Sequence, residues 1–240
     1  MFTWYKYKLS EPDVFGLSGV TLTRLMLLST YTDGDGGLVT NKFFKRYLNK
    51  KNIQQVLSLK DHTFNNCWSE LKDKQIVSDT YDKFFLTQEL FEKGNIGKRR
   101  ISEMGKNGCY ITRLYSNTVR EIYNNAKTPA HAALSYIFRM IPFTNRRYNV
   151  LCYNPLEENW DNVQVMSWSD FCEQVGYNRS CAARLFQELN KIMLTTPDGK
   201  CHAIQRVDKH CIFVNPYIYY AQNENNRHEI NKIFNTKEEN

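Results

Sequence analysis

The chain has 240 residues, of which 42% are hydrophobic and 14% aromatic, so it can form one large domain or two ordinary ones and is not a disordered chain. Its seven cysteines follow no framework spacing and no apolar run reaches transmembrane length, which predicts a cytoplasmic protein with reduced thiols and no membrane contact. The formal net charge of +7 is mildly basic and excludes little by itself.

The first 94 residues predict a strand or arm, several helices and a hairpin. Residues 2–10 alternate in hydrophobicity, and Leu22 and Met26 lie on one face of a helix. The stretch 54–79 then reads as a helix, a tight turn, a second helix and a strand, with a partner strand to follow. The second helix has a buried face with the spacing i, i+3, i+4, i+7, formed by Phe64, Cys67, Trp68 and Leu71. Helix, turn, helix and hairpin is the order of a winged helix-turn-helix domain.

Residues 95–109 hold the largest local excess of positive charge, together with three glycines. A basic segment between two near-neutral parts suits a polyanion such as DNA, and a solvated linker has the same composition. We interpret this stretch as an interdomain linker. Its candidate DNA contacts are Lys98, Arg99 and Arg100.

Residues 110–222 repeat the pattern of the first half. A helix over 128–141 and a short strand precede a helix at 167–175, a turn, and a helix at 180–192. The last of these has an apolar face in which each residue follows its counterpart by 118 positions: Ala182, Leu185, Phe186 and Leu189. The hairpin also recurs, with a longer tip, so that 84–91 corresponds to 212–219.

This repeat predicts an α+β, mainly helical fold with two tandem winged helix-turn-helix domains. The predicted parts are an N-terminal domain at 1–94, the basic linker at 95–109, a C-terminal domain at 110–222 and a polar tail at 223–240. The tail either forms a short helix around Ile230, Ile233 and Phe234, which would be a dimer contact, or is disordered.

The outward faces of the two second helices carry side chains that hydrogen-bond to phosphates and base edges. On the second domain they are Asn178, Arg179, Ser180, Arg184 and Gln187. On the first domain they are Lys60, His62, Thr63, Asn65 and Asn66. Phosphate contacts on the second wing are Lys200, Arg206 and Lys209. An ordinary solvated helix face has a similar composition, and the first domain could instead dimerise or bind a partner protein.

Metal and catalytic chemistry are not indicated. Cys201, His202, His210 and Cys211 form the one zinc-like set, but neighbouring residues on a strand point to opposite faces. The chain has no phosphate-binding Gly-Lys loop and no paired carboxylates that stand out as a site. We therefore predict no catalytic residue, no metal and no cofactor.

The second half resembles a known group of proteins. The segments "LSYIFRMIPFTNRRYNVLCYNPLEEN", "SWSDFCEQVGYNRSCAARL" and "IFVNPYIYYAQNE" are similar to winged-helix proteins encoded on plasmids, phages and integrative elements of Firmicutes. The last segment also resembles Firmicute plasmid replication proteins of the RepL type. The resemblance implies a mobile-element protein that binds DNA, and its tandem layout is similar to that of theta-type plasmid initiators.

These observations favour a non-enzymatic, sequence-specific double-stranded DNA-binding protein that acts as a transcriptional regulator of a phage or plasmid, as a homodimer. Two alternatives stay open. The same DNA binding could serve replication initiation at origin repeats, or the domains could bind a host protein without DNA, as a host-takeover or anti-defence factor would.

Overall fold

The computed structural model describes residues 1–11, 16–40, 46–127, 130–208, 210–222 and 224–235. The elements of the first half are β1 (Phe2–Lys8), α1 (Gly19–Ser29), α2 (Lys50–Val56), α3 (Asp61–Asp73), β2 (Val77–Thr80), β3 (Lys83–Leu86), β4 (Phe91–Glu92) and α4 (Lys98–Lys106). Those of the second half are β5 (Cys109–Tyr115), α5 (Ser116–Asn125), α6 (His131–Arg139), α7 (Trp168–Gln174), α8 (Ala182–Asn190), β6 (Met193–Thr196), β7 (Gly199–His202), β8 (Ile204–Val207), β9 (Cys211–Val214), β10 (Tyr219–Tyr220) and α9 (Glu224–Asn235).

The fold is α+β, with small antiparallel sheets between and beside the helices. Helices hold 43% of the residues that the structure describes, so the expectation of a mainly helical protein is wrong in degree. The reason is a four-stranded sheet that combines strands from distant parts of the sequence. Among the described helices, none has the length and apolar character needed to cross a lipid bilayer.

The four-stranded sheet has the order β4-β1-β5-β10 and is antiparallel throughout. Its two central strands pair over their full length, from Phe2 opposite Tyr115 to Lys8 opposite Cys109. The alternation along β1 divides its side chains between two faces. Tyr5 and Tyr7 belong to the main core, whereas Trp4 belongs to a second, smaller core on the opposite face. The predicted strand at residues 2–10 is thus confirmed, at the centre of a sheet.

The first half contains the predicted helix-turn-helix. Asn49 caps α2 by accepting a hydrogen bond from the Asn52 amide, and Ser58 adopts a positive φ of 52° in the turn before α3. The predicted inner face of α3 is buried at all four positions. β2 and β3 form the predicted hairpin, and a short extended segment at residues 37–38 pairs with the outer side of β3.

The second half contains the corresponding elements. Ser167 caps α7, Gly176 adopts a positive φ of 68° in the turn, and α8 buries Ala182, Leu185 and Leu189, with Phe186 half-buried. Residues 150–151 pair with β9 as residues 37–38 pair with β3. The α-helix starts at Ala182, two residues later than the sequence predicted, because residues 179–181 form a 3₁₀ turn.

The hairpin of the second half differs from the prediction of a longer tip. Two hairpins follow α8: β6 pairs with β7, and then β8 pairs with β9. The pair β8–β9 corresponds to β2–β3, because Asn215 donates to the Ala203 carbonyl as Thr87 donates to the Ile76 carbonyl, both at 2.9 Å. β6–β7 is therefore an inserted hairpin.

The predicted linker and tail are both largely helical. α4 lies within residues 95–109 and packs Ile101 and Met104 against Trp4 on the second core. In the tail, α9 buries Ile230 and Phe234 in the main core of its own chain. The predicted helix is confirmed, but those two side chains are not available as a dimer contact.

Candidate nucleic-acid interface

The predicted contact residues of the first half lie at the start and on the outer face of α3. Phe64, Cys67, Trp68 and Leu71 turn one side of the helix inward, and the opposite side is left to solvent. The side chains on that side are all exposed: Lys60, His62, Thr63, Asn65 and Asn66. The amide of Asn66 lies 3.4 Å from Nδ1 of His62, one turn earlier, so these two form a local polar pair.

A groove of about 880 Å³ runs between α3, the start of α2 and the hairpin β2–β3. Lys50 and Lys51 enter it from α2, and Lys72 enters it from α3. Lys72 pairs with Asp79 at 3.2 Å. Sequence reasoning missed the two lysines of α2, because their proximity to α3 depends on how the helices pack: Lys50 Nζ lies 5.8 Å from the centre of the Phe64 ring.

The polar side chains at the start of the second helix region are bound to neighbouring residues of the chain. Asn178 Oδ1 accepts hydrogen bonds from the Ser180 amide at 3.0 Å and the Ser180 hydroxyl at 2.8 Å, which caps the 3₁₀ turn. The Arg179 guanidinium lies 3.7 Å from the Glu173 carboxylate on α7. These three candidates are exposed but already have partners within the chain.

Arg184 and Gln187 are exposed on α8 itself, as the sequence predicted. Arg184 lines a cavity of about 620 Å³ beside α6, together with Lys127, Tyr136 and Tyr177. An exposed guanidinium next to two aromatic rings can bind a phosphate or the edge of a guanine.

Arg206 lies beside α8, whereas Lys200 lies elsewhere. The guanidinium of Arg206, on β8, lies 4.2 Å from the centre of the Phe186 ring. Lys200 is exposed on the inserted hairpin, on which Thr195 donates to Glu121 of α5 at 2.7 Å. Lys200 thus lies on a different hairpin from Arg206, and this hairpin has no counterpart in the first half. Lys209 lies outside the described residues.

The basic cluster of the predicted linker lies on the other side of the central sheet. α4 covers the second core, whereas α3 and α8 belong to the main core. Lys98, Arg99 and Arg100 are exposed, and two of them have acidic partners: Arg99 pairs with Glu103 and Arg100 with Glu92. The structure does not bring these three residues together with the candidates on α3 and α8.

The cysteine and histidine residues are placed as single groups. Within the described residues, no three His, Cys, Asp or Glu side chains are grouped as metal ligands would be. Nδ1 of His202 lies 2.6 Å from the Asn190 carbonyl, and the Cys201 thiol accepts from Asn215 at 3.1 Å. Burial raises the pKa of the Cys152 and Cys172 thiols to about 11, so both stay protonated at neutral pH.

The two helix-turn-helix regions can be compared position by position. Leu59 N–H donates to the Gln54 carbonyl at 3.2 Å, and Tyr177 N–H donates to the Cys172 carbonyl at 2.7 Å. The donor and the acceptor of the first bond each lie 118 positions before their counterparts in the second bond. The same separation holds for the left-handed residues Ser58 and Gly176. This register places Asn66 of α3 at the position of Arg184 in α8. Comparison of the chain with known protein families, with curated proteins and with solved structures gives no match.

Proposed function

We propose that the protein binds double-stranded DNA sequence-specifically through two winged helix-turn-helix domains, and that it regulates transcription on a phage or plasmid. One observation carries the proposal. Two helix-turn-helix regions have a left-handed residue at the same position of the turn, the same turn hydrogen bond and the same register of outward side chains. The turn fixes the second helix of each pair relative to the first and leaves its outer side chains exposed, and an α-helix with such a face fits the major groove.

The hairpins support the same assignment. In each half a hairpin follows the second helix, and a third short strand pairs with its outer side: Gly37 bridges Phe85, and Val150 bridges Phe213. Helix, strand, helix, helix and hairpin is the order expected of a winged helix, in which the hairpin reaches the backbone next to the groove. Lys83 on β3 and Arg206 on β8 are the basic side chains in place for it.

The outward side chains suggest how each helix reads DNA. Arg184 forms bidentate hydrogen bonds with guanine, and Gln187 or Asn66 with adenine. Asn178, Arg179 and Ser180 surround the first turn, where phosphate contacts fix the position of the helix. The modest net charge of +7 implies that base contacts and geometry supply much of the preference for one site.

Selection of binding sites from a pool of duplexes with a randomised core tests the proposal. We expect one sequence to be enriched, and its affinity to fall as salt rises. Arg184→Ala should weaken binding to that duplex by about 1–3 kcal/mol. Lys106→Ala, at the end of α4 on the opposite side of the central sheet, is the control that removes an exposed positive charge and should leave binding unchanged. Failure to enrich any sequence, or equal effects of the two variants, would contradict the proposal.

Replication initiation uses the same DNA contacts at a different locus. The resemblance of "IFVNPYIYYAQNE" to plasmid replication proteins supports it as an alternative biological role. Mapping of the bound sites on the native element distinguishes the two. Sites over a promoter support regulation, whereas a cluster of repeated sites, with plasmid loss in the Arg184→Ala strain, supports initiation.

A second candidate function, binding of a host protein, is favoured by exposed apolar side chains ahead of α7. Tyr153 is 50% exposed, Leu156 44% and Trp160 41%. If this surface carries the function, Trp160→Ala abolishes a stoichiometric complex with the host protein during gel filtration and leaves binding to the selected duplex unchanged. The opposite pattern supports DNA binding as the primary role.

A further inference from the structure

The strand order of the central sheet is unchanged if it is reversed and the two halves of the chain are exchanged. β1 is the first strand of the first half and β4 is its last, and these two strands are neighbours. β5 is the first strand of the second half and β10 is its last, and they are neighbours as well. β1 and β5 meet antiparallel in the middle. An antiparallel pair of equivalent strands has a two-fold axis between them.

Individual hydrogen bonds in the sheet follow this exchange. The Lys6 N–H donates to the Leu90 carbonyl at 2.8 Å, and the Tyr115 N–H donates to the Ile218 carbonyl at 3.0 Å. Lys6 follows Trp4 by two residues and Tyr115 follows Arg113 by two residues, and each acceptor immediately precedes the last strand of its own half. The two bonds are therefore equivalent.

A pair of side chains locates the axis on the sheet. Trp4 Nε1 donates to the Gly94 carbonyl at 3.0 Å, and the Arg113 guanidinium donates to the Gln222 carbonyl. Along the sequence, Trp4 is as far from Lys6 as Arg113 is from Tyr115. Likewise, Gly94 is as far from Leu90 as Gln222 is from Ile218. Trp4 and Arg113 are also direct cross-strand partners, with the guanidinium 4.6 Å from the centre of the indole ring. The axis passes between them.

The helices below the sheet, α1 and α6, approach each other closely at equivalent positions. Thr23 of α1 donates to the His131 carbonyl of α6 at 2.7 Å. In the reverse sense, Gly19 of α1 lies against Ser135 of α6, so closely that a Cβ at Gly19 would be 2.7 Å from the Ser135 hydroxyl. Gly19 corresponds to His131 and Thr23 to Ser135, because both pairs are 112 positions apart. The two helices thus approach closely at both pairs of equivalent positions, but their hydrogen bonds differ: Thr23 donates across to α6, whereas Ser135 donates to the Ala132 carbonyl of its own helix at 2.6 Å.

This axis relates α3 to α8, since α3 contacts α1 as α8 contacts α6. Duplex DNA has two-fold axes perpendicular to its length, and two recognition helices related by such an axis reach successive major-groove segments about one helical turn apart or a multiple of it. Symmetric regulators place two chains on such a site. Here both helices belong to one chain, and their faces differ, with Asn66 at the position that Arg184 occupies in the other half.

Resting on the proposed function, we infer that a single copy of this chain binds one DNA site made of two unlike half-sites in inverted orientation, α3 reading one and α8 the other. This replaces the homodimer that the sequence suggested. The burial of Ile230 and Phe234 within the chain agrees with it, because the segment expected to join two copies is already used.

Hydroxyl-radical footprinting on the duplex recovered by selection tests the inference, together with native mass spectrometry of the complex. We expect one 28.4 kDa chain per duplex and protection on both sides of a central axis. Arg184→Ala should lower affinity about 5- to 150-fold and lose protection in one half only. Asn66→Ala should lose protection in the other half, and Lys106→Ala should lose none.

The outcomes separate the inference from the function on which it rests. Two chains per duplex, with each variant weakening both halves equally, would overturn the single-chain site and leave sequence-specific binding intact. Enrichment of no duplex would overturn both. Circular dichroism of the three variants checks their folding, which should be unchanged because all three side chains are exposed.

Discussion

Glu70 and Glu188 occupy the same position in the two halves, 118 residues apart, and do different things. Glu70 on α3 accepts from the amide of Ser18 at 2.6 Å and from its hydroxyl at 2.9 Å, so it joins α3 to the first turn of α1. Glu188 on α8 pairs with Lys191 of its own helix at 2.8 Å and lines the cavity beside α6. Equivalent helices therefore differ in their surroundings: α3 is bound to its neighbour α1, whereas α8 lies beside an open cavity.

The comparison has its largest consequence in the shared core. Leu71 of α3 and Leu189 of α8 are fully buried, and both belong to one continuous core. Leu71→Ala and Leu189→Ala should each lower the free energy of unfolding by about 2–5 kcal/mol. We expect urea to unfold each variant in one transition, seen equally by circular dichroism and tryptophan fluorescence. Two transitions, of which each variant moves only one, would show that the halves fold independently.

Removal of the first glutamate should cost stability, and removal of the second should not. Glu70→Ala leaves the Ser18 amide and the Thr21 hydroxyl without their acceptor and should lower the free energy of unfolding by about 1.5–3 kcal/mol. Glu188→Ala is the matched control and should unfold at the wild-type urea concentration. Equal loss in the two variants would mean that Glu70 does not hold α1 in the way described.

The two turns give a smaller and opposite pair of effects. Ser58 and Gly176 both have a positive φ, which costs an L-residue about 1–2 kcal/mol and glycine almost nothing. Gly176→Ala should therefore lower the free energy of unfolding by about 1–2 kcal/mol. Ser58→Gly should raise it by about 0.5–1 kcal/mol. Thermal unfolding of both variants provides the measurement, and shifts of the same sign would contradict the equivalence of the turns.

The smallest predicted effect is a dependence on pH. Burial alone would raise the pKa of Glu70, but hydrogen bonds from Thr21 and Ser18 outweigh it and hold the pKa below its usual value of 4.5. A carboxylate with a lowered pKa stabilises the fold above that value, and the stabilisation is lost as the pH falls through the pKa of the folded state. Wild type should therefore lose stability relative to Glu70→Gln as the pH falls below 4.5. Parallel acid-unfolding curves for the two proteins would exclude this role.

The sequence predicted the two helix-turn-helix regions because periodicity exposes them. The apolar spacing of α3 recurs in α8 without a slip, and a buried face of this kind depends only on local geometry. The central sheet could not be predicted in this way. Phe2 pairs with Tyr115, from which almost the whole first half separates it in the sequence. No local feature of either strand identifies its partner. The same limit hid the inserted hairpin, since Met193–Thr196 reads as a strand whichever partner it has.

The sequence predicted which side chains of the candidate site are exposed, but not the hydrogen bonds that they form. The exposure of Arg184 and Gln187 follows from helix phase alone. That Asn178 and Ser180 hydrogen-bond to each other depends on a 3₁₀ turn that periodicity does not reveal. In the linker, the glycines at 105 and 108 argued against a helix, yet α4 forms because Ile101 and Met104 pack against Trp4. Tertiary contact there outweighs local preference.

The pairing of β1 with β5 sets the order in which the chain can fold as it is made. β1 leaves the ribosome long before its partner exists, so the first half must wait with one side of its strand unpaired, a state open to wrong partners. The sheet closes only after residue 115 has emerged, and contacts this distant form slowly. Synthesis that pauses before that point should therefore yield aggregation-prone fragments, and synthesis that pauses after it should not.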